Sequence, residues 1–224
     1  LVGTLESRKS AAWAGGMEPV ADVANPFAAG GKGGFWLRTG AGGAHGQGAV
    51  TNLFVPGTAR YDESLWFLQG GAGMVLSSSA RGRLVATAFG HYQNSDSNIA
   101  DNTGVVGGID AQGYGAGASL TWLGSGGLYL DALASYTVHD LDVSTATGAA
   151  GSTDADTWAG SLEAGYRIGL GGSFSLVPQA QLVYQSSDID SFTDSAGSTY
   201  SFSDSDSLEG RLGAALEYDH VNAA

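Results

Sequence analysis

The residues of this chain that could do chemistry are few, and their spacing matches no familiar reactive site. Five aspartates lie between residues 186 and 207, but an EF-hand needs ligands at regular odd offsets and a terminal Glu. The histidines are scattered, and there is no Cys, phosphate-binding loop or nucleophile elbow. We therefore predict a solvated acidic loop, no catalytic residue, no metal site and no cofactor, and we do not expect an enzyme. These aspartates and histidines are Asp188, Asp190, Asp194, Asp204, Asp206, His45, His91, His139 and His220.

A second set of charged and amide side chains alternates with apolar residues, which is typical of strands that separate a polar from an apolar environment. Over residues 158–168 the apolar side chains take every second position, with Ser, Glu, Gly and Arg between them. Such alternation predicts strands with one apolar and one polar face. We expect the polar face to line a lumen, because charges there can pair or bind water, whereas lipid disfavours them. This face is either a plain solvated wall or one that holds a plug or guides a polypeptide. Its predicted residues are Glu163, Arg167, Gln179, Gln181, Glu209 and Arg211.

Composition excludes several classes of protein. The 22 acidic and 9 basic side chains give a net charge of -13, which disfavours nucleic-acid binding. The 5 Trp, 9 Tyr and 8 Phe are too many for a disordered chain. No apolar run approaches the ~18 residues of a transmembrane helix. The 37 glycines and the zero mean hydropathy favour an all-β protein with interleaved apolar and polar residues.

Period-two alternation predicts about eight strands, each long enough to cross a bilayer at a tilt. Short and long connections alternate between them, which is typical of an outer-membrane barrel. We therefore predict an antiparallel up-and-down transmembrane β-barrel. The alternating segments are 35–43, 64–76, 83–93, 114–122, 128–139, 158–168, 174–185 and 208–218. The expected short turns are 77–82, 123–127 and 169–173, and the expected long loops are 45–60, 94–109, 141–155 and 187–205.

Aromatic residues of the apolar face fall into two groups, one at each end of the predicted strands. Tyr114 and Trp122 lie eight residues apart, which is roughly 26 Å along a strand and ~20 Å along the membrane normal after a ~40° tilt. This is close to the ~25 Å apolar band of outer-membrane barrels. We therefore predict two aromatic girdles, with the long loops extracellular. The girdle residues are Trp66, Tyr92, Tyr114, Trp122, Tyr136, Trp158, Tyr166, Phe174, Tyr184 and Tyr218.

Residues 1–33 do not alternate. Residues 4–13 suit a short helix that the following glycine pair would end; the alternative is a frayed terminus. We expect the helix to thread the lumen, because the facing wall is lined by glycines that leave space. The predicted domains are a linker and lumenal helix at 1–33 and a barrel at 34–220. The glycines in question are Gly113, Gly115 and Gly117.

Several segments, in order along the chain, resemble the β-domain of autotransporters, the translocator of type V secretion in Gram-negative bacteria. The most specific is Ser-Leu-Glu-Ala-Gly-Tyr at 161–166, followed by Leu-Val-Pro-Gln-Ala-Gln-Leu at 176–182. The resemblance extends over about residues 1–220. Further matching segments are 35–40, 113–117, 127–131, 192–194 and 208–213.

The resemblance implies a twelve-stranded barrel in the bacterial outer membrane, with a lumenal helix that leads to an exported N-terminal passenger. It implies outer-membrane lipid and lipopolysaccharide, the barrel-assembly machinery, periplasmic chaperones and the passenger as partners. By resemblance, Glu163 and Arg211 fall on the lumen-facing Glu and Arg positions of the family; they lie on different predicted strands, which allows a pair between them across the lumen. Because about eight strands are present and no terminal aromatic residue follows, we expect a C-terminally incomplete translocator that anchors and exports a passenger.

Two alternatives stay open. An eight-stranded adhesin or membrane anchor would be complete as it stands; the strand count favours it, whereas the glycine-lined lumen and the missing terminal aromatic residue oppose it. An outer-membrane enzyme barrel would need a His/Asp or Ser/His cluster at the loop rim, and the sequence shows none that is convincing.

Overall fold

The computed structural model describes residues 32–51, 56–101, 104–145 and 148–218. Within these ranges the chain forms strands and turns only, which confirms the all-β class. The described residues contain no helix that is long and apolar enough to cross a membrane. The strands are β1 (Gly33–Thr51), β2 (Pro56–Ser79), β3 (Gly82–Asp101), β4 (Gly104–Gly124), β5 (Leu128–Thr145), β6 (Ala150–Tyr166), β7 (Ile168–Gly171), β8 (Phe174–Ile189), β9 (Phe192–Thr193), β10 (Thr199–Tyr200) and β11 (Ser205–Tyr218).

The strands form one antiparallel sheet whose spatial order follows the chain. The order is β1-β2-β3-β4-β5-β6-β8-β11, and the short β7 also pairs with β8. β7 continues β6 beyond Arg167, because both pair with the same partner strand. The described sheet curves into a half-barrel with β1 and β11 at its edges. The predicted antiparallel up-and-down architecture of about eight strands is therefore confirmed.

The strands are longer than the alternation predicts, and three of the expected long loops are instead largely part of the sheet. β2 has 24 residues and β4 has 21. His45 lies opposite Asp62, and Leu141 lies opposite Thr153, although all four fall in or beside expected loops. Beyond the apolar part of the sheet both faces of a strand meet water, so the backbone ladder continues without apolar alternation.

The fourth expected loop, between β8 and β11, contains a small hairpin formed by β9 and β10. Its turn is held by Asp194, whose carboxylate accepts hydrogen bonds from the amides of Ala196 at 2.9 Å and Ser198 at 2.8 Å. Gly197 follows with a φ of 87°, a conformation that favours glycine. Residues 190–204 are therefore an ordered connection.

The two faces of the sheet differ in exposure and in polarity. Along β6, Ser161 and Glu163 are buried, whereas Leu162 between them is 64% exposed. The same alternation runs through β4, β5 and β8. A soluble protein shows the opposite arrangement, because burial of apolar side chains drives its folding. We refer to the buried side as the concave face and to the exposed side as the outer face.

The predicted helix of residues 4–13 lies outside the described residues, as does the predicted barrel end at residue 220. The domain boundaries therefore stay predictions. The described chain enters the sheet at the end that carries the short turns, where the amide of Val75 donates to the carbonyl oxygen of Lys32 at 2.9 Å.

The turn between β4 and β5 allows a test of the backbone geometry. Gly127 has a φ of 95°, and a Cβ there would lie 2.7 Å from the carbonyl oxygen of Arg167. We expect Gly127→Ala to lower the free energy of unfolding by about 1–3 kcal/mol, measured by urea titration with tryptophan fluorescence. Gly126→Ala is the control, because nothing lies within 4 Å of a Cβ at that position. Equal stability of the two variants would contradict the geometry of this turn.

Candidate functional site on the concave face

Five side chains form a polar row across the concave face. The register places Thr121, Asp131, Glu163, Gln181 and Arg211 opposite one another on β4, β5, β6, β8 and β11. The first four are at most 5% exposed. They meet because each occupies a concave-face position, and the cross-strand register brings these positions to the same height.

Hydroxyl groups donate hydrogen bonds to both carboxylates of this row. Thr121 Oγ1 donates to Asp131 at 2.5 Å, and the Tyr129 hydroxyl donates to Glu163 at 2.5 Å. The same hydroxyl oxygen lies 3.1 Å from Gln179 Oε1. Asp131 and Glu163 lie directly opposite each other, where like charges repel, and hydrogen bonds to ionised acceptors are roughly twice as strong as neutral ones. The two hydroxyls therefore offset part of the cost of an anionic centre in the wall.

Two arginines lie toward the β11 edge of the sheet. Arg211 contacts Glu209 on its own strand through Nε at 2.8 Å and Nη2 at 3.2 Å. Arg167 pairs with Glu217 at 3.1 Å. Both arginine side chains are 42% exposed, so each pair contributes at most about 1 kcal/mol. These pairs orient charge along the edge and contribute little to stability.

The structure brings together five of the six residues that the sequence singled out for the polar wall. Glu163 and Gln181 are buried, and Gln181 stands between Glu163 and Arg211 in the register. Arg211 Nη1 lies 3.4 Å from Gln181 Oε1, and a pair between Glu163 and Arg211 stays a prediction. Gln179 joins them through Tyr129. Glu209 joins them through Arg211 at 2.8 Å, and the sixth residue, Arg167, pairs with Glu217.

The glycines of the concave face are covered by side chains from neighbouring strands. A Cβ at Gly117 would overlap the ring of Phe89, and one at Gly115 would lie 2.8 Å from the ring of His91. The expectation that this glycine row leaves open space is therefore wrong, because side chains from the neighbouring strands occupy that space. Further covered glycines are Gly113 under Gln93 and His139, Gly40 under Phe67, Gly71 under Trp36 and Gly165 under Tyr129.

Several residues of the concave face were missed from the sequence. Trp36, Phe89 and Leu133 form a buried apolar cluster, with the Trp36 and Phe89 ring centroids 5.9 Å apart. Tyr129 and Asp131 belong to the polar row and its support. A signal for Tyr129 and Asp131 was present in the sequence, because they alternate with Leu128 and Leu130.

Some buried polar atoms of this face have no hydrogen-bond partner in the part of the chain that the structure describes. They include Trp36 Nε1, Ser161 Oγ and Gln181 Nε2. Buried polar groups are normally hydrogen-bonded, so these three atoms are exceptions on this face. Among the described residues, no group of three or more His, Cys, Asp or Glu side chains is arranged to hold a metal ion.

On the outer face, aromatic side chains form a row across β2 to β8 at the end away from the short turns. The rings of Trp66 and Tyr92 lie 5.3 Å apart, and those of Tyr136 and Trp158 lie 4.6 Å apart. Tyr92 stands directly opposite Tyr114. The complete row is Trp66, Tyr92, Tyr114, Tyr136, Trp158 and Tyr184.

A second aromatic group lies on the outer face at the short-turn end. Phe174 and Tyr218 stand opposite each other with their ring centroids 4.9 Å apart. Leu120, Leu162 and Leu182 are exposed between the two groups. The second group consists of Trp122, Tyr166, Phe174 and Tyr218.

Beyond the first aromatic row the outer face becomes acidic. Asp110 lies directly opposite Asp96 on one side and Asp142 on the other. A hydrogen bond with Asp96 raises the pKa of Asp110, and the neighbouring negative charges act in the same direction. The Tyr136 hydroxyl donates to Asp156 at 2.6 Å. The aromatic row therefore separates an apolar zone from a hydrated, anionic one.

Comparison with known proteins agrees with this geometry. Residues 35–224 match the family model of the autotransporter beta-domain. The chain belongs to the autotransporter β-domain family. The adhesin BmaC autotransporter of Brucella suis biovar 1 (strain 1330) is 32% identical over 226 residues, which cover 97% of this chain and 6% of the adhesin. The crystal structure of the β-domain of the Bordetella autotransporter BrkA matches with a TM-score of 0.67 at 24% identity, over 86% of this chain and 72% of that one.

The resemblance predicted from the sequence is thus confirmed. This autotransporter β-domain is an outer-membrane translocator domain, and its family implies a passenger domain. The chain spans only 6% of the length of the curated adhesin that it matches.

The contact between Gly165 and Tyr129 allows a test of the concave face. A Cβ at Gly165 would lie 2.6 Å from the Tyr129 hydroxyl oxygen, so Gly165→Ala displaces the ring from Glu163. We expect a loss of about 1–3 kcal/mol in the free energy of unfolding, measured by urea titration of the β-domain in detergent.

Gly160→Ala is the matched control, because it lies on the outer face of the same strand, where a Cβ would be 3.8 Å from its nearest neighbour. Tyr129→Ala in the Gly165→Ala background should recover part of the loss. If Gly165→Ala leaves the free energy of unfolding unchanged, the close contact between the Tyr129 ring and Gly165 is contradicted.

Proposed function

We propose that this β-domain spans the outer membrane with its outer face in lipid, and exports an N-terminal passenger along its concave face. The observation that carries the proposal is the reversal of ordinary burial: Leu162 is 64% exposed, whereas Glu163 beside it is 3% exposed. An apolar face of this extent fits lipid, and the buried polar face fits a lumen that shields charge from lipid. The lumen-facing residues are then Glu163, Arg167, Gln179, Gln181, Glu209 and Arg211.

The two aromatic groups support the proposed position of the sheet in the membrane. They stand at either end of the leucine-rich zone, where amphipathic rings favour the headgroup region. Asp96 and Asp110 lie beyond the row that contains Tyr92 and Tyr114, in water. We infer that the aromatic groups are the two girdles, that the short turns are periplasmic, and that residues 190–204 are extracellular.

The route of the passenger follows from where the chain enters the sheet. Lys32 lies at the short-turn end, so a passenger that precedes it and lies outside the cell must be linked across the concave face. The polar side chains of Ser161 and Gln181 belong to that face, which fits a polypeptide better than it fits lipid. The predicted helix of residues 4–13 is our candidate for the linking segment.

The remaining partners follow from this location. The outer face contacts outer-membrane lipid and lipopolysaccharide, and the barrel-assembly machinery with periplasmic chaperones delivers and inserts the strands. We further propose an adhesive passenger, because the curated relative is an adhesin.

Surface exposure of the passenger tests this function. In a Gram-negative host that expresses the full-length protein, external protease should remove the passenger from intact cells and leave a membrane-embedded, heat-modifiable β-domain. The same passenger without the β-domain should stay protected. A passenger of the full-length protein that is inaccessible to external protease would overturn the proposal.

Substitutions in β6 test which part of the sheet lies within the membrane. Leu162 lies between the two aromatic groups, and an arginine at the bilayer midplane of a barrel costs about 2–4 kcal/mol. We expect Leu162→Arg to reduce the heat-modifiable form of the domain on gels. Asp154→Arg, on the same face of β6 but beyond the aromatic row, is the control and should assemble normally. Equal losses would contradict the proposed depth.

A further inference from the structure

Side chains of β3 and β5 meet above β4 on the concave face. The glycines of β4 have no side chain to fill this space, so a side chain of β3 can reach across β4 to β5. His91 Nε2 lies 2.9 Å from Thr137 Oγ1, and both residues are at most 8% exposed. The side-chain amide nitrogen of Gln93 lies 3.4 Å from His139 Nδ1. The glycines that these two contacts cross are Gly115 and Gly113.

The Phe89 ring extends this layer of side chains over the next glycine, Gly117. Its centroid lies 6.2 Å from that of the His91 ring and 5.9 Å from that of the Trp36 ring. Without this layer, three glycines of β4 would lie open along the concave face. Its position therefore decides whether a groove runs along that strand. We refer to this layer as the β4 cover, which consists of Phe89, His91, Gln93, Thr137 and His139.

The two imidazoles make the β4 cover sensitive to protons. His91 Nδ1 is buried without a hydrogen-bond partner among the residues that the structure describes. A proton on this ring would place a charge where no acceptor meets it, which is costly in a buried site. His139 Nδ1 accepts from the amide nitrogen of Gln93, which can only donate. A proton on that ring nitrogen therefore ends this bond in the present orientation of the amide.

The charged groups around the β4 cover differ for the two histidines. Near His91 they are His139 and Arg38, whose Nε donates at 2.6 Å to Gln69 Oε1 directly beside His91, and both disfavour a further positive charge. Near His139 they are Asp140 and Asp156 of the outer face, which attract a proton. The other facing positions are uncharged, and they are Phe67, Gln69, Gly113, Gly115, Ala155 and Thr157.

We propose that the β4 cover is an acid-sensitive closure: it is closed while His91 and His139 are neutral, and it opens a groove along β4 when they bind protons. A hydrated imidazole binds a proton at about pH 6.5, so the open cover binds more protons than the closed one. Acid therefore favours the open form, and the ratio of open to closed rises by up to about tenfold per pH unit for each such ring. Strand pairing stays as it is, and opening does not require that the domain exports a passenger.

Hydroxyl-radical footprinting of the full-length protein in detergent tests this closure. Phe89 is 6% exposed in the closed cover, so its oxidation, measured by mass spectrometry, reports opening. We expect this oxidation to rise at least about threefold between about pH 7.5 and about pH 4.5. Phe202 is the matched reference for the radical dose, because it is already 47% exposed beyond the aromatic row. A ratio of Phe89 to Phe202 oxidation that does not change with pH overturns the proposal.

Histidine variants separate the imidazoles from the carboxylates that also titrate in acid. His91→Gln with His139→Gln keeps side chains that form hydrogen bonds but cannot become cationic, so Phe89 oxidation should stay low at both pH values. Each single variant should show a weaker rise than the unaltered protein. His45→Gln is the control, because this histidine is exposed on β1, and it should keep the full rise. A full rise in the assembled double variant would contradict the role of the histidines.

Removal of the hydroxyl partner should open the β4 cover without acid. Thr137→Val keeps the shape of the side chain but cannot hydrogen-bond to His91, so we expect Phe89 oxidation to be raised already at about pH 7.5. Thr157→Val is the matched control, because Thr157 Oγ1 lies 3.0 Å from Ser187 Oγ and not in the cover. Heat-modifiability on gels checks assembly of every variant. Equal Phe89 oxidation in assembled Thr137→Val and Thr157→Val at this pH overturns the proposal.

Discussion

The hydrogen-bond ladder between neighbouring strands is the interaction on which the rest of this structure depends. A segment in lipid has no water to satisfy its amides and carbonyls, so each strand must find them in its neighbours. The ladder also fixes register, and a slip of one residue would exchange the two faces. Leu162 would then turn inward and Glu163 would meet lipid. The aromatic row, the polar row and the position of the hairpin therefore all depend on the same backbone pairing.

Because the sheet is curved, side chains on its concave face are crowded, and glycines at some positions of that face relieve the crowding. Side chains on the inside of a curved sheet converge, so large rings fit only where a neighbour has none. Tyr129 lies over Gly165, and Phe89 lies over Gly117. The first of these pairs also places a hydroxyl on Glu163. Packing and hydrogen bonding are thus coupled. Gly165 leaves room for the Tyr129 ring, and the hydroxyl of that ring donates a hydrogen bond to the buried Glu163.

The sequence predicts the strands and their faces well where lipid and lumen impose opposite demands. Alternation around Leu162 is sufficient to assign both sides of β6. It fails where both faces meet water: the sequence predicts a loop at residues 45–60, whereas in the structure His45 pairs with Asp62. It also fails for contacts across strands. Nothing in the spacing of Thr121, Asp131 and Glu163 shows that they share a row, because that depends on the register of three strands. The sequence predicts a solvated loop in place of the hairpin at residues 190–204, since the stack of its Phe192 and Tyr200 rings forms only on folding.

The concave face changes chemical character along the proposed route of the passenger. Near the short turns a chain meets the buried carboxylates Asp131 and Glu163. Farther along it meets neutral pairs such as His91 Nε2 with Thr137 Oγ1, 2.9 Å apart, and at the far rim it meets the hairpin of β9 and β10, where the Phe192 ring stacks on Tyr200 and Phe202. A pathway must bind its cargo well enough to admit it and weakly enough to release it. The carboxylate, neutral and apolar zones differ in the side chains that they favour, so on the proposed route no one type of side chain would bind equally well along the whole face.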